Sequence, residues 1–171
     1  TNRPKDVGTA FETACARWLT KRLGQRVERR ALHGTMDEGD LGWLRSSTGL
    51  DGIVECKAEG RAEAAAPADV AEWRRQTDAE RGNAGAGFAL LVLKTRNVGG
   101  ARFGRTRCDV TLADLCRMFG MRPCAASEAI WVTLDLETAC CAVEGIDAGA
   151  RAETPEELAA AVLFAASDEA S

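Results

Sequence analysis

Two carboxylates and an amine, spread over two short segments, could do chemistry in this chain. In the run Gly52-Ile53-Val54-Glu55-Cys56-Lys57-Ala58, charged residues interrupt a strand-like apolar stretch. Strand side chains alternate, so Glu55 and Lys57 leave one face while Val54 and Cys56 leave the other. Burying such charges is costly unless they are paired or bound to a metal. Fifteen residues earlier, Asp40 closes the turn Asp37-Glu38-Gly39 and stands at the mouth of another strand. Two strands joined by a turn bring Asp40 and Glu55 together. Hard cations such as Mg²⁺ take one or two carboxylates plus waters and substrate phosphates. A third acid, Glu12, borders the apolar stripe of a first helix. Each signal alone has a plainer reading: a solvent-facing Glu/Lys pair, a polar turn, a carboxylate at the wet edge of a helix. Asp37 competes with Asp40 for the metal role, and His33 stands near the same turn.

The elements that must position these groups follow from periodicity. Phe11, Cys15, Trp18, Leu19 and Leu23 recur at helical spacing, with Asp6 as a cap and Gly24 as a stop. Strands are expected over 26–32, 41–44 and 52–58, with turns at 34–39 and 46–49. A second helix is expected over 68–81, with Val70, Trp73 and Thr77 on one face; Gln76 is a candidate supporting contact. The apolar run Phe88 to Lys94 reads as a strand covered on both faces. A Gly/Arg loop over 97–107, a helix from Thr111 to Phe119, a strand from Ala129 to Leu136 and an Ala-rich helix over 154–166 complete the pass. One mixed sheet flanked by helices is the economical architecture. Trp18 and Trp73 are expected in the core, and Trp43 is a candidate to line the site.

Composition narrows the partners. The 171 residues suit one domain with a sizeable core, and no apolar run is long enough for a bilayer. The first residues lack the apolar stretch of a signal peptide and an initiator Met, so a cytosolic chain, processed or trimmed, is expected. One histidine excludes His-rich metal chemistry, so any metal must rest on carboxylates. Seven cysteines without a CxxC pair are expected to be buried, reduced thiols. The net charge of −4 conceals an asymmetry: residues 1–110 hold 19 Lys and Arg against 15 Asp and Glu, whereas residues 111–171 hold 3 against 11. That pattern suits either a nucleic-acid-binding part with an acidic tail, or acidic helices that merely aid solubility. The stretch Gly99-Gly100-Ala101-Arg102-Phe103-Gly104-Arg105 suits a loop that tracks a phosphate backbone, or an ordinary solvated loop.

Taken together, Glu12 on a first helix, Asp40 at a strand start and Glu55-x-Lys57 on the next strand resemble the PD-(D/E)xK nuclease core. Within that superfamily the chain is most similar to phage and archaeal Holliday-junction-resolvase-like proteins, through Gly8-Thr-Ala-Phe-Glu12, Arg29-Arg30, Gly39-Asp-Leu41, Val54-Glu-Cys-Lys57, Trp73-Arg-Arg-Gln76 and Val92-Leu-Lys94. Gly39 replaces the proline that gives the motif its name. The resemblance implies an α/β, restriction-endonuclease-like mixed sheet in the order αβββαβ. Residues 1–120 would form the nuclease core. Residues 121–171 lie outside the resemblance. They are expected to form an acidic extension, a strand and an Ala-rich helix, packed on the same domain. An added sheet edge, a dimer contact or a cover for the active face are open roles for it. The resemblance further implies Mg²⁺, for which Mn²⁺ can substitute, held by Asp40, Glu55 and the Cys56 carbonyl. Glu12 would reach in through water or a second ion, and Lys57 would orient the nucleophile. Expected partners are branched DNA and a second copy of the chain, with no membrane. Arg29, Arg30, Lys94, Arg96, Arg102, Arg105 and Arg107 would be available to phosphates. The alternatives are the same core acting on flaps, ends or a restriction target, or a non-catalytic DNA-binding module.

Overall fold

In the computed structural model, the structure describes residues 4–30, 37–58 and 65–145. Helix α1 (Pro4–Leu23) leads to strands β1 (Glu28–Arg29), β2 (Leu41–Arg45) and β3 (Asp51–Lys57). Helix α2 (Pro67–Asn83) and strand β4 (Phe88–Leu93) follow, then a 3-10 helix (Gly100–Arg105) and β5 (Arg107–Thr111). The described part ends with α3 (Leu112–Met118), a 3-10 turn, β6 (Trp131–Asp135) and α4 (Leu136–Glu144). The strands form one mixed sheet in the order β1 to β6, with β3 and β4 parallel and all other neighbours antiparallel.

Alternation divides the sheet into two unlike faces. Val54, Cys56, Leu90, Val92, Cys108 and Val110 join Phe11, Cys15 and Leu19 of α1, Leu115 and Met118 of α3, and Leu136, Cys140 and Val143 of α4 in the main core. The opposite face carries Glu55, Lys57, Leu91, Leu93 and Asp109. There α2 lays Trp73 over Leu91 and Leu93, beside Trp131. The α1 side is wholly apolar at these positions; the α2 side mixes apolar residues with Glu55, Lys57 and Asp109.

Local signals set the element ends. Gly24, at φ +64°, stops α1, and proline opens α2 after the extended Ala66. The Thr111 hydroxyl caps α3 by accepting from the Asp114 N–H, and the Asp135 carboxylate caps α4 by accepting from that of Thr138. Beyond two-residue β1, the Gln25 side-chain amide both donates to the Arg45 carbonyl and accepts from its N–H, each at 2.8 Å. It occupies a strand edge that would otherwise be open.

Several expectations need correction. The end of the expected 97–107 loop enters β5, where Arg107 and Asp109 break the apolar alternation because they pair with each other inside the fold. Helix α4 was not expected. It is short and rich in Ala and Cys, yet it buries Leu136, Ala139, Cys140, Ala142 and Val143 in the same core as α1. All seven cysteines are free, but Cys124 is exposed and Cys141 half-buried, unlike the buried set expected. The helix expected over 154–166 lies outside the described residues, as do His33 and residues 31–32; of the strand expected over 26–32, only Glu28–Arg29 is strand among the described residues. Among the described residues, no helix is long and apolar enough to cross a membrane.

Gly52 has no room for a side chain. A Cβ there would sit 2.2 Å from the ring of Phe88, a core residue without exposure. Gly52→Ala is therefore expected to cost about 3 kcal/mol, the upper end of over-packing penalties, in urea unfolding. A cost below about 1 kcal/mol would mean that Phe88 moves aside.

Candidate active site

The β2–β3 register builds the centre of the site. Leu41 stands opposite Val54, which sets Asp40 beside the next step of β3. The Asp40 Oδ2 accepts the Cys56 backbone N–H at 2.8 Å, and the Asp40 carbonyl accepts from Arg30 N–H at 2.8 Å. Gly39 precedes it at φ +87°, a conformation proline cannot take because its ring holds φ near −65°. A proline therefore has no place at this position of the backbone. Asp37, the rival carboxylate, is exposed and accepts the Gly39 N–H within its own turn. Asp40 is the one held against β3.

On β3, the Lys57 ammonium lies 2.7 Å from Glu55 Oε1, with both side chains largely buried. Burial lifts Asp40 to about 7, and the neighbouring charges of Glu55 and Glu12 add to the rise against the Cys56 N–H and Lys57. Burial likewise lifts Glu55 to about 8; Lys57 opposes this, and the carboxyl of Glu80 reinforces it. For Lys57, burial works against the charge, but Glu55, helped by Glu80 and Asp40, outweighs it and holds the amine above its ordinary range. The amine is therefore a cation at neutral pH, not a free base.

Glu12 approaches from α1. Its Oε2 receives the Arg29 guanidinium at 2.6 and 2.7 Å, and its charge is felt at Asp40. From α2 comes a residue the sequence reading missed: Glu80, buried, whose carboxyl helps to raise Glu55. The signal was present, since Val70, Trp73 and Thr77 define a helical face whose next member is residue 80 or 81. Gln76 is half-buried and donates to Glu72 at 2.8 Å.

The seven expected phosphate-binding cations fall into two groups. Arg29 holds Glu12. Arg30 bonds the carbonyl and carboxylate of Glu38 while lying over Gly42. Arg107 makes a two-pronged contact with Asp109. These three serve internal carboxylates and carbonyls. Lys94, Arg96, Arg102 and Arg105 are exposed. Lys94 directly follows β4, its N–H bonded to the Lys57 carbonyl. Arg102 and Arg105 line a groove of about 930 Å³ with Trp18, Lys21 and Asp135. Phe103 between them anchors this stretch on Phe11 and Trp18. Trp43 sits in a β2 bulge at φ +69° and is 75% exposed, so it projects outward rather than lining a closed site.

Among the described residues, no three His, Cys, Asp or Glu side chains are grouped so as to hold a metal ion by themselves. The charge of Glu55 acts on Asp40, and that of Glu80 on Glu55, which makes two neighbouring pairs of acids. A hard cation that keeps several waters needs no more than one such pair. The all-oxygen donor set and the deficit of positive charge both suit one. No protein-family model matches the chain, and neither curated proteins nor solved structures give a significant match.

The raised carboxyls tie stability to pH. Unfolded Asp and Glu release their protons near pH 4, whereas folded Asp40 and Glu55 keep theirs to about 7 and about 8. The folded state binds more protons across that window, so this contribution is full below about pH 4 and is lost as pH rises to about 8. In chelator, Asp40→Asn is expected to flatten the fall in melting temperature between about pH 5 and 8 and to melt above the parent at the alkaline end. Parallel profiles for the two proteins would show that Asp40 ionises normally.

Proposed function

We propose that this chain is a divalent-cation-dependent endodeoxyribonuclease with a restriction-endonuclease-like fold, of the PD-(D/E)xK type. The observation that carries the reading is the convergence of Asp40 and Glu55 with the Lys57 ammonium on one sheet face, with more buried acid than the lysine can balance. Asp40, Glu55 and the Cys56 carbonyl are the residues that would hold Mg²⁺ or Mn²⁺. Bound there, such an ion supplies Lewis-acid activation of the scissile phosphate and a more acidic water.

The chain's own groups do the rest. Asp40 is fixed by the Cys56 N–H, so its second oxygen is oriented without freedom to rotate away. Lys57, held by Glu55, places a positive charge where the attacking water and the phosphate oxygens gather. The water oxygen bonds to phosphorus as the bond to the 3′-oxygen breaks, leaving a 5′-phosphate and a 3′-hydroxyl. Glu12, clamped by Arg29, adds a carboxylate at the Asp40 side. Lys94, Arg102 and Arg105 form the surface for backbone phosphates, contacts that fix position rather than sequence. The substrate we favour is branched DNA, cut by a homodimer whose two-fold axis matches a symmetric junction. The absence of a three-acid group among the described residues favours one rival, a DNA-binding module without catalysis.

A panel of four-way junction, flap and linear duplex, incubated with Mg²⁺ or Mn²⁺, separates these readings. Cleavage abolished by chelator is expected, with paired cuts near the junction branch point. Asp40→Asn and Lys57→Ala should each lower the rate at least about a hundredfold. Binding without cleavage on every substrate would sink the enzyme assignment. In a separate binding experiment, replacing Arg102 and Arg105 together by Ala should lower the slope of log affinity against log salt by about two. An unchanged slope would remove the groove from the DNA path.

A further inference from the structure

Glu80 is the least compensated acid in the described structure. It is 7% exposed, and its Oε2 is a buried polar atom without a hydrogen-bond donor. Its charge acts on the Glu55 carboxyl, another acid, and a proton or a cation between the two relieves the repulsion. Lys57 is engaged at Glu55 Oε1. The nearest guanidinium along the helix, Arg81, turns to Asp78 at 2.9 Å and towards Asp114. Other buried acids in the fold are supplied with donors. Asp114 accepts the Ala89 N–H and Arg117, and Asp109 accepts Arg74, Arg107 and Thr133.

We infer that Glu80 is a cation ligand, forming with Glu55 a second position for a hard divalent ion on the α2 side of the site. The inference rests on the reading of Asp40 and Glu55 as a cation site and extends it. Glu55 becomes the shared ligand of two positions, for a carboxylate has about four lone-pair directions and Lys57 occupies one. The α2 helix thereby contributes to the chemistry as well as to covering the sheet.

Calorimetric titration of the full chain with Mn²⁺ tests this. The parent is expected to bind two ions and Glu80→Gln one. In chelator the variant should melt at or above the parent temperature, because its amide can donate to Glu55. A purely structural Glu80 would give a lower melting temperature and an unchanged ion count. A parent that binds two ions, with both retained in Glu80→Gln, overturns the inference. So does a parent that binds one ion which the variant holds equally well, although the Asp40–Glu55 position then survives. A parent that binds none overturns both readings together. Electron paramagnetic resonance of the Mn²⁺-loaded parent needs no variant. Two ions sharing Glu55 give an exchange-coupled multiline spectrum, whereas an uncoupled six-line signal alone contradicts the second position.

Discussion

The structure depends on how it carries buried negative charge. Taking a carboxylate out of water costs several kcal/mol unless a partner replaces the lost hydration. This fold meets that demand in two different ways. Asp109, wholly buried, faces two guanidiniums and a hydroxyl; burial pushes its pKa up, but Arg107 and Arg74 overcome that and hold it below the usual range. Burial raises Asp114, yet both its oxygens have donors. Asp40, Glu55 and Glu80 share a single ammonium, and one oxygen of Glu80 has no donor. The first arrangement is complete in the folded chain. The second reaches balance only with protons or a cation.

The rest of the architecture serves this imbalance. Three helices and one sheet face form a continuous apolar core that fixes β3 and β4 as rigid rails. On those rails Glu55 and Lys57 have a defined face, and the β2 register brings Asp40 to the Cys56 N–H. Helix α2 is held to the same face by Trp73 over Leu91 and Leu93, which delivers Glu80 one helical step beyond Thr77. The 3-10 helix, anchored by Phe103 on α1, turns Arg102 and Arg105 outward.

Much of this was legible in the sequence, for physical reasons that also mark its limits. Strand alternation alone put Glu55 and Lys57 on one face, and helical spacing put Phe11, Cys15 and Leu19 in the core. Glu80 escaped because a glutamate on an apolar face is usually read as the face's end rather than its member. Strand β5 escaped because Arg107 and Asp109 look solvated until the pair they form is seen. Helix α4 escaped because Ala and Cys give a weak apolar signal, although its cap at Asp135 and its stop at Gly145 follow ordinary rules. The roles of the arginines were beyond sequence reasoning. Nothing in the order of residues tells a guanidinium facing solvent, such as Arg102, from one engaged by a carboxylate, such as Arg29 on Glu12. The need for a glycine before Asp40 became intelligible only with the backbone angle in hand.

The most direct measurement is a crystal of the chain soaked in Mn²⁺ near neutral pH, read by anomalous scattering. A peak bridging the Asp40 and Glu55 carboxylates beside the Cys56 carbonyl is the predicted result. Well-ordered carboxyls with no anomalous density between them, at Mn²⁺ concentrations that saturate ordinary nuclease sites, would contradict the account. The buried acids would then be balanced by protons alone.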